Sequence, residues 1–431
     1  MSRGLAFLGL MLLAGAPRAI AQSAPLYVQF SPGAVKGAVY KPDTGPAPHV
    51  AVLLTHRTSN FLSHIATGEL AKRGFLVLAV NPRSDNNETA VDFERNALDI
   101  KSGVEFLRRQ SGITKVVLFG HSGGGPATSF YQAVAEKGPA FCQGPSRLVE
   151  CPDDLAGLPL ADGLVLMDAH PGISVNALRS INPAVVDEGD PGRIDAALDP
   201  FNLANGYSPD GDSHYSNQFR QRYFKAQAAR MNRLIDMALD KLRRMEARQG
   251  PYPDDDIFLV VRGNGARLMQ LDTGVHHGTL KPQKLLKNDG TVVTQVVESV
   301  RTSPRGLAEA NATFGGGTRL LTIRSFLSAN AIRATDAMDD IDWCSSNNST
   351  PCALQNISVP LLITAMGGHY FVRDNEVHYE MAASTDKDYV VIDGATHGST
   401  PCTDCETTPG EYSNTVKNFF DYVARWIDAR Y

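Results

Sequence analysis

No cysteine precedes Cys142 in this 431-residue chain, and after its first residues it has no apolar run long enough to span a bilayer. The first absence leaves no candidate for the lipid-modified cysteine of a bacterial lipoprotein. The second argues against a stable membrane anchor. Basic surplus is missing too: 41 Lys and Arg stand against 46 Asp and Glu, a formal net charge of −5. With nothing to condense on a phosphate backbone, nucleic acid is excluded as an expected partner.

What the start of the chain does have is an export pattern. Arg3 supplies positive charge, Gly4 to Ala16 is mostly apolar, and Ala19-Ile20-Ala21 gives a small-x-small cleavage site. The expectation is a signal peptide over 1–21, cut after Ala21, and a secreted or periplasmic mature protein. The six cysteines fall as near neighbours in sequence: Cys142 with Cys151, Cys344 with Cys352, and Cys402 with Cys405. In an exported chain these read as three local disulfides, although spacing alone does not choose among the possible pairings. A redox or zinc reading of Cys402-Thr403-Asp404-Cys405 lacks a second CxxC and a thioredoxin-like surrounding.

From Leu26 to Pro126 short β-rich runs alternate with helical patterns, the signature of a mostly parallel sheet flanked by helices. Strands are expected at Leu26 to Phe30, Val35 to Tyr40, Val50 to Thr55, Phe75 to Val80, Val116 to Phe119 and Gly163 to Met167. The rhythm stops there and returns only at Val359 to Ala365 and Tyr389 to Ile392, before a closing amphipathic helix from Tyr412 to Arg430. The chain therefore divides into a first core part over 22–171, an inserted cap or lid over 172–356, and a second core part over 357–431. Within the insertion, Tyr215 to Gln249 reads as a long helix, and Lys284 to Val300 as two strands joined at Asn288-Asp289-Gly290.

The chemistry centres on Gly120-His121-Ser122-Gly123-Gly124, a G-x-S-x-G pattern between an apolar strand and a helix. A serine on a sharp strand-to-helix turn needs neighbours without side chains, and the following helix aims its N–H groups at developing negative charge. A phosphate loop would need a Lys-Ser/Thr pair, which does not follow. Serine is a weak nucleophile without a base. His397, in Asp393-Gly394-Ala395-Thr396-His397-Gly398 after the last strand, is the candidate. His56, His64, His170 and His369 read as hydrogen-bonded structural residues, and His276-His277 has no metal partner at recognisable spacing.

These motifs make the chain resemble the α/β-hydrolase superfamily of serine esterases and lipases, over Leu26 to Asp168 and Val359 to Tyr431 but not the insertion. The resemblance implies a nucleophile at Ser122, a base at His397 and a triad acid. Its usual place, after the second-last strand, offers only Asp374 or Glu376, at a distance from Met366-Gly367-Gly368. Asp168, directly after the strand Gly163 to Met167, is the preferred assignment, since some lipases and haloalkane dehalogenases supply their acid from there. Dehalogenation itself needs a carboxylate where Ser122 stands. For the oxyanion hole the resemblance implies the backbone of Gly123 and a donor after Val50 to Thr55, Arg57 or Thr58; the Arg57 side chain could instead bind an acidic part of the substrate.

The expected function is a carboxylic-ester hydrolase working through an acyl-enzyme on a small-molecule or polymer ester, with no cofactor and no metal. Acyl transfer, peptidase activity or a non-catalytic binding role are the alternatives. Asp254-Asp255-Asp256 and Asp210-Gly211-Asp212 lack the spacing of a calcium loop, and Asn87, Asn311, Asn348 and Asn356 begin glycosylation triplets.

Overall fold

The computed structural model describes residues 24–31, 33–249 and 254–431; the expected signal peptide lies outside them. Among the described residues ten strands form one sheet: β1 (Leu26–Gln29), β2 (Lys36–Tyr40), β3 (Val50–Thr55), β4 (Leu76–Asn81), β5 (Lys115–His121), β6 (Gly163–Met167), β7 (Gln283–Leu286), β8 (Val292–Gln295), β9 (Leu361–Met366) and β10 (Lys387–Ile392). Their order is β1-β2-β4-β3-β5-β6-β9-β10-β7-β8. The run from β4 through β3, β5, β6, β9 and β10 to β7 is parallel, and β1, β2 and β8 are antiparallel to their neighbours.

Every residue of β3, β4, β6 and β9 is buried, as expected of strands covered on both faces. Ala51 and Leu53 point to one face, where α2 (Asn96–Arg108) and α3 (Gly124–Lys137) contribute Ile100, Val104, Phe130 and Val134; Val52 and Leu54 point to the other, against Leu70, Phe419 and Val423. The close approach of α2 depends on Gly103, where a Cβ would stand 2.6 Å from Leu53 Cδ1. Truncating a leucine buried this completely costs about 2–5 kcal/mol.

The segment 172–356 builds a further core. The helix Asn217–Glu246 begins at Ser216, whose side chain accepts from Phe219 N, and packs Met231, Leu234 and Ile235 against Phe258, Leu321 and Phe326. It is not detached along its whole length, however. The hairpin expected around Asn288-Asp289-Gly290 forms, with Gly290 at φ +86°, but it extends the main sheet: β7 pairs with β10. The physical reason is that β10 would otherwise be an open edge; β7 satisfies its backbone and buries Leu285 and Leu286. Asn311 and Asn348 are both buried, so neither is open to a glycan in the folded chain.

Candidate active site

Ser122 sits between the end of β5 and the start of α3 at φ +56°, a conformation strained for any residue with a side chain. Its neighbours make the turn possible. A Cβ on Gly120 would meet Gly124 O at 2.7 Å, and one on Gly124 would meet Thr55 O at 2.2 Å. The serine's N–H donates to Met167 O at 3.1 Å, tying the turn to the end of β6.

Ser122 Oγ lies 2.8 Å from His397 Nε2, and His397 Nδ1 lies 2.5 Å from Asp168 Oδ2. The carboxylate can only accept, so Nδ1 carries the proton and Nε2 is left to accept from the serine hydroxyl. Asp168 follows β6 at φ +43°, is fully buried, and its Oδ1 accepts from Met366 N at 3.1 Å. Burial opposes its ionisation, but His369 and His397 outweigh burial and hold its carboxyl well below the usual range. The other two acids considered are occupied elsewhere. Asp374 pairs with Arg179 at 2.7 Å and His276 at 3.1 Å. Glu376 accepts from Leu280 N, Lys281 N and Arg373.

Histidines that read as structural surround this line. His170 Nε2 is 3.0 Å from Ser122 Oγ, opposite in bonding role to His397: with the hydroxyl proton given to His397, His170 donates to the oxygen. Burial first, then Arg57 and His397, lowers its pKa well below the ordinary value, so it is neutral. His369 Nδ1 lies 2.7 Å from the same Asp168 oxygen without the alignment of a hydrogen bond, and its ring stacks on His397 at 4.3 Å. Below the loop a chain of neutral imidazoles fixes the His397 backbone. Ala66 N donates to His64 Nδ1, His64 Nε2 to His121 Nδ1 at 2.9 Å, and His121 Nε2 to His397 O at 2.8 Å. Burial is the main cause that lowers His64 to about 4 and His121 well below its ordinary value. In the sequence His170 stands two residues after Asp168 and His121 directly before Ser122, but neither place, nor that of His369, tells which atoms the ring faces.

Of the expected oxyanion donors, the N–H groups of Gly123 and Arg57 have no hydrogen-bond partner among the described residues. Thr58 is already committed: its N–H donates to His56 Nδ1 at 3.1 Å, as does Ser59 N at 2.7 Å. That leaves the proton of neutral His56 on Nε2, which lies 2.5 Å from where a Cβ on Gly123 would stand.

Among the described residues two groups have metal-ligand residue types within 4.8 Å of one another, Asp168-His369-His397 and Asp212-His214-Asp272. The first does not fit an ion, because tetrahedral donors around zinc stand roughly 3.3 Å apart, whereas His397 Nδ1 and Asp168 Oδ2 are at hydrogen-bond distance, 2.5 Å. In the second, Asp212 accepts from Thr273 and Ser303, and Asp272 from Tyr215 N and Arg220. The three cysteine pairs expected from sequence are bonded, Cys142–Cys151, Cys344–Cys352 and Cys402–Cys405, the last in the loop after His397.

No protein-family model matches the chain, and no curated protein matches it. Among solved structures it is similar to Est1E from Butyrivibrio proteoclasticus at 10% identity, over 94% of this chain and 98% of that one, with a TM-score of 0.43. It is also similar to a highly thermostable carboxyl esterase from Bacillus coagulans (12% identity, 94% and 97% covered, TM-score 0.39). A third likeness is to bromoperoxidase from Bacillus anthracis (12% identity, 91% and 96% covered, TM-score 0.34). The strand order, the antiparallel β2 and the serine held at positive φ between β5 and α3 are those of the α/β-hydrolase fold, and that is the fold of this chain.

Proposed function

We propose that the chain is a serine hydrolase of carboxylic esters that works through an acyl-enzyme on Ser122. The observation that carries the reading is the unbroken line from Ser122 Oγ through His397 to buried Asp168, at 2.8 and 2.5 Å. In this reading His397 takes the serine proton as Oγ attacks the ester carbonyl, and Asp168 stabilises the imidazolium that forms. The oxyanion is received by the N–H groups of Gly123 and Arg57, with His56 Nε2–H facing the same space. His397 then protonates the leaving alcohol, and water, activated by the same histidine, releases the acid. His170 steadies the serine oxygen as its proton leaves.

The segment 172–356 is the lid of this proposal, since it leaves the core after β6 and rejoins it before β9, beside the carboxyl ends where the reacting groups gather. The substrate is a small-molecule or polymer ester, and the mature chain works outside the cytoplasm, in keeping with three disulfides. The test is turnover of a neutral ester such as p-nitrophenyl acetate. Activity in the wild type that falls about a thousandfold or more in Ser122→Ala supports the reading; a Ser122→Ala protein as active as the wild type, freed of contaminating hydrolase, overturns it.

A further inference from the structure

Arg57 lies over the residue next to Ser122, and two further arginines, Arg267 and Arg319, are close enough to it to act on one another electrostatically. Arg57 is buried, and its Nη1 lies 2.7 Å from where a Cβ on Gly123 would stand, so its guanidinium fills the space over the residue next to the nucleophile. Its Nη2 pairs with the exposed Glu88, while Nη1 bonds to no described residue. Arg267 comes from the segment 172–356. Its Nε donates to Ser180 Oγ at 2.7 Å and its Nη1 to Tyr370 OH at 2.5 Å, and Tyr370 packs on His369, which stacks on His397. Arg319, from the same segment, donates by Nε to Gly263 O at 3.0 Å and by Nη1 to Asn330 Oδ1 at 3.4 Å.

Neither Arg267 nor Arg319 has an ion pair among the described residues, and Nη2 of each makes no hydrogen bond there. The three side chains feel one another. Burial first, then Arg267 and Arg57, pushes Arg319 down to about 9, with only Glu88 opposing; Arg57 and Arg267 both also act on His170. Arg301, in the same segment, is held by carbonyls instead: its Nη2 donates to those of Met269, Thr273 and Val275 and its Nη1 to that of His277. Arg267 and Arg319 are half-buried, and guanidiniums partly withdrawn from water without a counter-charge are unfavourable unless a ligand supplies one.

We infer that Arg57, Arg267 and Arg319 form a carboxylate-binding subsite, so that the ester hydrolysed at Ser122 carries a free carboxylate close to its scissile carbonyl. The class is the half-ester of a dicarboxylic acid, or an ester whose alcohol part bears the acid. A planar carboxylate has two oxygens to offer to the unpaired guanidinium nitrogens, the geometry arginine recognises best. The inference rests on the proposed hydrolysis, and each can fail separately.

The experiment compares kcat/KM, divided by the rate of uncatalysed hydrolysis, for two matched pairs. Mono-p-nitrophenyl succinate against p-nitrophenyl butyrate puts the carboxylate on the acyl side; 4-acetoxybenzoate against phenyl acetate puts it on the leaving group. The wild type is expected to favour the acidic ester at least tenfold in one pair, with the advantage cut tenfold or more in Arg267→Gln and in Arg319→Gln. A neutral ester equal or better in both pairs overturns the subsite from the wild type alone, whether or not the variants fold. An advantage that survives in both folded variants also overturns it. Should no ester be turned over, the hydrolase reading falls and calorimetry with glutarate decides the subsite: binding lost in Arg267→Gln upholds it, and no binding ends it.

Discussion

Asp168 fixes the tautomer of His397, and two other acids close in sequence to the expected place do not touch that imidazole. Asp168→Asn is therefore expected to lower kcat by about three orders of magnitude or more. Asp374→Asn should act on stability instead, because it breaks a buried ion pair with Arg179, a loss of about 3–5 kcal/mol. Denaturant titrations beside steady-state kinetics separate the two; a kinetic collapse in Asp374→Asn with Asp168→Asn near normal would transfer the acid's role. For His170 the expectation is smaller. Removing one donor to Ser122 Oγ in His170→Leu should reduce kcat roughly tenfold, with part recovered in His170→Gln. Equal rates in His170→Leu and wild type would leave His170 as packing only. Ser122 and His397 were readable from sequence because each sits in a glycine-rich turn with a recognisable neighbouring element. His170, His369 and His121 were not, since what distinguishes them is which atoms they face far away in the chain: Ser122 for His170, Asp168 for His369 and the His397 carbonyl for His121.

At the scale of elements, the approach to α2 holds a pH-dependent clamp. Glu94, fully buried, accepts from Ser328 Oγ at 2.5 Å and Asn347 Nδ2 at 2.9 Å, both from the segment 172–356. Burial, against those two hydrogen bonds, raises its carboxyl from 4.5 to about 7. The folded state then holds a proton that the unfolded chain gives up, so Glu94's contribution is full below pH 4.5 and is lost as pH rises through about 7. Glu94→Gln keeps an acceptor and cannot ionise. Its stability relative to wild type should improve by about 2–3 kcal/mol between pH 5 and 8, measured by urea unfolding; a difference that does not change with pH contradicts the account. The strands of the core were legible because continuous runs such as Val50 to Thr55 can only be buried on both faces. The hairpin at Gln283–Gln295 was legible as a hairpin through Asn288-Asp289-Gly290, but not as the edge of the main sheet. Which strand it joins depends on β10, more than 90 residues away in the register Val390 with Lys284, and local pattern carries no such information.

At the scale of the whole molecule, the described residues are built on a mostly parallel sheet whose serine, histidine and acid come from three separate strand ends and meet only on folding. The segment 172–356 is bound into it at several points: by β7 on the sheet, by Arg179 on Asp374, and by Ser325 and Ser328 accepting from Val91 N and Phe93 N. That attachment explains how it can bring Arg267 and Arg319 toward the site and hold them there. The disulfides close short loops, so they constrain local geometry more than the unfolded chain as a whole. In the proposed reaction all of this positions Ser122 as a nucleophile activated by His397. The most direct measurement is labelling of the intact protein with a fluorophosphonate, followed by peptide mapping. The account predicts one adduct, on Ser122, abolished in His397→Ala. An adduct on another serine, no adduct in folded wild type, or undiminished labelling in His397→Ala would contradict it.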